Sequence, residues 1–201
     1  MVVNIAKDPG INITFIRQNR QPLAQRYQIR FDRLERSRIS IFNAMAQVSP
    51  AMQKIVQPLQ NDLESLVEDT YQLSLRMSGL ENHYVVQKLN SDFDSEIKKM
   101  QSKREQTDDN VARLEFEQTI QTLKERQGHL KSLATLLDRF EAQMTGTNNT
   151  IDGIVTTIVN LRGSSLPQIK ERIPALQDVI HTEQNEFKDF DQQSKQFSFI
   201  K

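Results

Sequence analysis

The sequence predicts an all-α chain: an elongated antiparallel helical hairpin of the coiled-coil type, with two shorter outer helices completing a four-helix bundle at its base. Three observations carry that expectation. Apolar residues recur at steps of three and four, the spacing of one helix face. Of the 6 Gly and 6 Pro among the 201 residues, Pro9, Gly10, Pro22, Pro50 and Gly163 mark boundaries between these stripes. The two central stripes have matching lengths and are joined by a short polar stretch, so the helices that carry them should fold back on each other.

At the N-terminus, Val2 to Ala6 and Ile11 to Ile16 flank the turn sequence Asp8-Pro9-Gly10. A lone hairpin is only marginally stable, so residues 1–21 are expected to be an arm. The first helix should run from Pro22 to Val48, on Leu23, Tyr27, Phe31, Leu34, Ile41, Met45 and Val48. Pro22 suits a first turn, where its missing N–H is not needed. Ser49-Pro50 then reads as an N-cap and first-turn Pro. Because Pro in a helix interior removes a hydrogen bond, Ala51 to Gln57 is expected to be a short lead-in, with the main helix beginning near Pro58.

From Pro58 the stripe passes through Leu59, Leu63, Leu66, Thr70, Leu73, Met77, Leu80 and Tyr84, then Leu89, Phe93, Ile97 and Met100. This predicts one helix to about residue 104. Thr107 and Asp108 are N-cap candidates for the next helix. Its stripe runs from Val111 to Leu161 and should stop at Arg162-Gly163. Gly146 to Thr150 is weak helix sequence, and the β-branched run 151–159 leaves a strand conceivable there. Unbroken heptad spacing favours helix. The last helix should span about Leu166 to Ile200, kinked by Pro174.

At about 1.5 Å per residue the two central helices would each extend roughly 70–80 Å. The outer helices need a surface on which to bury their stripes. These lengths imply a single domain over 22–201, with 82–128 protruding as a two-helix stalk. Facing pairs in the stalk are expected to be Met100 with Ala112, Ile97 with Glu115, Phe93 with Thr119 and Leu89 with Leu123. That seam is sparse, which suits a mobile stalk or one that finds a partner.

Composition bounds the function. There are no Cys, which excludes disulfide scaffolds and Cys-ligated metals. No apolar run approaches the ~18 residues of a membrane span, and Met1 to Gly10 lacks a secretory h-region. A cytoplasmic location is therefore expected. The 26 basic and 26 acidic residues cancel, so nucleic acid is not an expected partner.

The charge is unevenly placed. Residues 1–50 carry 8 basic and 3 acidic groups, a net +5 that is almost all Arg. Arg17, Arg20, Arg26, Arg30 and Arg33 are candidates for binding an anionic partner, since guanidinium favours planar anions. Tyr27 and Phe31, the nearby aromatics, lie on the core stripe and are not free to stack on bases. The alternative is pairing within the bundle, with Glu64, Glu68 and Asp69 or with Asp178 and Glu183.

Lys98, Lys99, Lys103 and Arg104, followed by Glu105, Asp108 and Asp109, form a charge-segregated turn. The helix macrodipoles account for it, and a docking tip is the alternative. Glu125 and His129 share a helix face, and the expected register sets His83 opposite His129. This resembles a bundle carboxylate–His site only in outline, without the inward Glu and paired Glu-x-x-His that such sites use; no metal or other cofactor is expected. No nucleophile motif or phosphate loop is present. His181 lies near Asp178 and Glu183 on a solvated face. An enzyme needs a pocket with convergent polar groups, so catalysis is not expected.

In layout, though not in motif, the chain is similar to helical-hairpin proteins that coat membranes, such as phage-shock-protein-A-like and BAR-type proteins. Architecture alone does not confer function. The functional expectation is a non-enzymatic scaffold or adaptor acting through coiled-coil contacts with other proteins or with itself. The alternative is a peripheral protein binding anionic lipid through the Arg-rich N-terminal region and the Ile11 to Ile16 arm.

Overall fold

A computed structural model describes residues 20–47, 49–161 and 164–197. Among them are five helices and no strand: α1 (Gln25–Ala46), α2 (Pro50–Asn90), α3 (Phe93–Gln106), α4 (Asn110–Leu161) and α5 (Leu166–Lys195). The fold is an all-α helical bundle. Residues 1–19 of the expected 1–21 arm, Arg17 among them, Val48, the stop at Arg162-Gly163 and the chain beyond Phe197 lie outside the described residues. No helix among the described residues is long and apolar enough to cross a membrane.

The chain divides into two compact units, Met1–Ser78 with Arg139–Lys201, and Gly79–Asp138. In the first unit the apolar stripes meet as a core. Tyr27, Leu34, Ile41 and Met45 of α1, Leu59, Leu63, Leu66 and Met77 of α2, Phe140, Met144 and Ile151 of α4, and Ile180 of α5 are almost fully buried. Phe140 is its aromatic centre. Its ring packs edge-on against Tyr27 at 5.2 Å, Phe190 at 5.8 Å and Phe187 at 6.0 Å, so it joins α4 to α1 and α5.

Polar contacts fix the directions of these helices. Arg26 meets Glu141, Arg30 meets Thr145 and Arg33 meets Asn149 and Asp152, so α1 and this part of α4 run the same way. Asp62 meets Gln177 and Arg76 meets Asp191, so α2 and α5 also run together. Both pairings keep about the same separation, 115 residues for Arg26–Glu141, Asp62–Gln177 and Arg76–Asp191. Within each successive pair the direction reverses. Phe31 lies against Tyr71 at 5.5 Å, and Thr147 donates to Glu183 at 2.5 Å.

Several boundaries differ from the sequence reading. α2 begins at Pro50, with Gln53 N–H donating to Ser49 O at 2.9 Å, and runs straight through Pro58. Pro58 is exposed while Val56 and Leu59 beside it are buried. The flanking anchors hold the helix across one missing hydrogen bond. α5 continues through Pro174, as the expected single helix from Leu166 does. Its first turn is closed by Gln168, whose Oε1 accepts from the Ser165 N–H at 2.9 Å.

The stripe from Leu89 to Phe93, read as continuous, is broken at Ser91–Asp92. Asp92 N-caps α3 instead, its Oδ1 accepting from Ser95 N–H at 3.2 Å. At α4 the first-turn side-chain acceptor is Asp109, which takes the Val111 N–H at 2.8 Å; Thr107 Oγ1 accepts from Asp109 itself at 3.4 Å. Residues 146–159 are helical throughout, because Ile151, Ile154 and Ile158 all point into the core.

The expected facing pairs of the second unit are also corrected. Asp94 meets Gln127 and Arg104 meets Glu117, nine residues further along α4 than the expected Gln118 and Asp108. The physical reason is apolar matching. The observed register clusters Phe93 and Ile97 with Ile120 and Leu123, and adds Met100 and Leu130 at the edges. The expected one would have set the same residues against Glu115 and Thr119.

Candidate functional site

Four of the five candidate arginines, Arg20, Arg26, Arg30 and Arg33, are described, and all four are engaged inside the first unit. Arg20 lies over the rings of Tyr71 and Phe31, at 4.3 and 5.1 Å, and its Nη2 is 3.0 Å from Glu68 and 3.8 Å from Glu35. Glu35 is buried and also takes Arg38 at 2.7 Å. Arg26 and Arg30 converge on Glu141, and Arg33 holds Asp152 at 2.5 Å. Of the acids expected as partners, Glu68 has this role, toward Arg20. Glu141 and Asp152 supply the rest, because α1 lies along α4 in the same direction and presents Arg at each turn to an α4 face of Glu141, Thr145, Asn149 and Asp152.

The tip residues are in the second unit. Lys98, Lys99 and Lys103 are exposed. Arg104 pairs with Glu117 at 2.5 Å, and that hydrogen-bonded carboxylate raises the guanidinium pKa above its ordinary value. Asp94 and Glu96 occupy the first turn of α3, and Lys103 and Arg104 its last, as the macrodipole favours.

His129 and Glu125 are exposed, and Glu125 accepts from Gln121 at 2.8 Å. His83 is half-buried, with Nε2 enclosed and unpartnered. With the register displaced, His83 and His129 are no longer a facing pair. Among the described residues no group of three or more His, Asp or Glu could hold a metal ion. His181 Nε2 lies 3.5 Å from Asp62, across from α5 on α2, and not with the neighbouring acids of its own helix.

The sequence reading did not single out the surface around the α2–α3 break. Val85, Val86 and Leu89 form an exposed apolar row on the last turns of α2, at 44%, 54% and 81% exposure. A different face of the same turns, that of Tyr84 and Lys88, lines an open cleft of about 470 Å3 with Phe93, Leu130 and Ala134 among its walls. Lys88 and Lys131 stand on its rim together with Asp92 and Asp94, so both signs of charge are present. Lys88 Nζ reaches the Tyr84 ring at 5.6 Å, Arg126 covers the Phe93 ring at 5.8 Å, and Gln127 donates to Asp94 at 2.9 Å.

Such a surface can take up apolar side chains between balanced charges, which is the chemistry of helix-on-protein contact. Its signal in the sequence was Ser91-Asp92 followed by the acidic first turn of Asp94 and Glu96, a helix-start pattern lying inside an apolar stripe. No protein-family profile matches this chain, and no curated protein or solved structure is significantly similar to it.

Proposed function

We propose that this chain is a non-enzymatic structural or adaptor protein whose second unit binds an amphipathic helix of a partner protein. The observation that carries this reading is the exposed row Val85, Val86 and Leu89, on turns of α2 whose other face lines an apolar cleft with two lysines and two aspartates among its lining residues. A balanced rim favours a protein helix of mixed charge over an anionic polymer or lipid surface. The Arg-rich region supports the same choice, since Arg20, Arg26, Arg30 and Arg33 already face acids of their own chain.

The same reading takes α2, α3 and α4 as an antiparallel helical hairpin of coiled-coil character, supported by the Asp94–Gln127 and Arg104–Glu117 pairs and by helices of 41 and 52 residues. A cysteine pair placed at positions 94 and 127 tests that part within the second unit: a disulfide between them is expected under mild oxidation, and none forming overturns it.

The binding reading is tested by a photocrosslinking side chain placed at position 89 in cells. Discrete protein adducts are expected there and not at the exposed control position 118. Adding Leu89→Lys to a probe at position 86 should abolish that probe's adducts without loss of helical circular dichroism. Equal labelling at 89 and 118, or adducts indifferent to Leu89→Lys, would refute the reading.

A further inference from the structure

Five serine and threonine residues lie outside the helices among the described residues: Ser49, Ser91, Thr107, Ser164 and Ser165. Three of them serve the helix that follows. Ser49 Oγ accepts from Met52 N–H at 3.4 Å, Thr107 Oγ1 accepts from Asp109 N–H at 3.4 Å, and Ser165 Oγ bonds to Gln168 Oε1 at 3.1 Å. Ser91 Oγ makes no hydrogen bond to a described residue. The cap of α3 is supplied instead by its neighbour Asp92.

The surroundings of this hydroxyl are cationic in space and acidic along the chain. Ser91 lines the cleft together with Lys88, three residues before it, and Lys131 of α4. Neither ammonium forms an ion pair with an acid among the described residues. Asp92, Asp94 and Glu96 follow Ser91 at the first, third and fifth positions, and all three are exposed. Ser164, the other hydroxyl without a bond, is followed by Ser165-Leu166-Pro167 and has no acid there.

We propose that Ser91 is a phosphorylation site for an acid-directed serine kinase, and that Lys88 and Lys131 hold the phosphate in the cleft. A hydroxyl between two helices can approach the γ-phosphorus of ATP in line without a helical hydrogen bond being opened at its own residue. Its oxygen bonds to that phosphorus, its proton passes to the carboxylate base of the kinase, the bond to the bridging β-phosphate oxygen breaks, and ADP leaves. The product adds about −1.5 to −2 charges and three acceptor oxygens. Each lysine then has an anion to which it can donate a charge-assisted hydrogen bond. The cleft, lined by two lysines and two aspartates before the transfer, becomes acidic after it. A shift of partner preference toward basic helices rests on the function proposed above; the modification does not.

The first experiment incubates the full chain with ATP, magnesium and an acid-directed serine kinase, and reads the product by intact mass and fragment mapping. One phosphate on Ser91 is expected, absent in Ser91→Ala. Asp94→Asn with Glu96→Gln, which leaves the Asp92 cap in place, should slow the transfer about tenfold or more. No incorporation, incorporation that Ser91→Ala leaves intact, or a rate indifferent to the two acids overturns the proposal.

A second experiment tests the lysines without a kinase. Phosphoserine is built into position 91 during synthesis, and its phosphate is titrated by phosphorus magnetic resonance. Nearby ammonium groups favour the dianion, so replacing them with Lys88→Gln and Lys131→Gln should raise the phosphate pKa by about 0.5 unit or more. An unchanged value overturns the cradle. No partner enters either measurement, so their failure removes the site and leaves the interaction reading standing. Phosphate on Ser91 with equal labelling at 89 and 118 removes the interaction reading and leaves the site.

Discussion

Phe140→Ala should be among the most damaging single substitutions in the first unit. The ring is fully buried and makes three edge-on contacts, to Tyr27 of α1 and to Phe187 and Phe190 of α5. Core Phe to Ala changes cost about 3–5 kcal/mol, through lost transfer free energy and the cavity left behind. Contacts to rings on two other helices limit how far the surroundings can collapse into that space. They place this site at the upper end, about 4–5 kcal/mol. Against the ~5–15 kcal/mol of a typical domain that is a large share. Urea unfolding followed by far-ultraviolet circular dichroism measures it. With a slope of about 2 kcal/mol per molar, the midpoint of the transition carrying the first unit should fall by roughly 2 M. A loss below about 2 kcal/mol with that cooperative transition intact would show that Phe140 is not the junction of these helices.

Glu141→Gln combined with Asp152→Asn removes the carboxylates facing Arg26, Arg30 and Arg33. These pairs are partly exposed, so the stability loss should be small, about 1 kcal/mol in total, but binding to anionic vesicles at low salt should rise, as flotation would report. Leu89→Gln should leave the unfolding free energy within about 0.5 kcal/mol of wild type, by the same urea assay, because the side chain is exposed. Pro58→Ala should raise stability by about 1–3 kcal/mol in the same urea assay, since it restores a hydrogen bond in the interior of α2 at an exposed position. The raised Arg104 pKa stabilises the fold fully at any pH below the ordinary arginine range and is lost only as pH rises through the higher folded value. Replacing Glu117 with Gln should therefore leave the shape of the stability–pH curve between about pH 6 and 9 unaltered by Arg104.

The helices themselves were legible because their evidence is local. Tyr27, Phe31 and Leu34 on one face, or Ile151, Ile154 and Ile158 on another, announce a buried side whatever covers it. Ser49-Pro50 marked a true start for the same reason, and the last helix begins at Leu166 as expected. Pro58 misled because its local cost was outweighed by Val56 and Leu59 in the core. The gap at Ser91–Asp92 was hidden by an apolar spacing that passes across it unbroken. Beyond Glu68, named as a partner in advance, which acid each Arg meets was not legible. Glu141 and Asp152 become neighbours of α1 only through the direction in which α4 packs, a property of the assembled bundle and not of either segment.

The 115-residue separation between Arg26 and Glu141, and between Arg76 and Asp191, bears on how the first unit comes into being. On a growing chain α1 is complete long before the face of α4 that covers it has been synthesised, and α2 waits equally long for α5. Contacts so distant along the sequence close large loops and slow assembly. Until the last third of the chain emerges, the apolar flanks of the first two helices stay uncovered, the situation in which nascent polypeptides draw chaperones or aggregate.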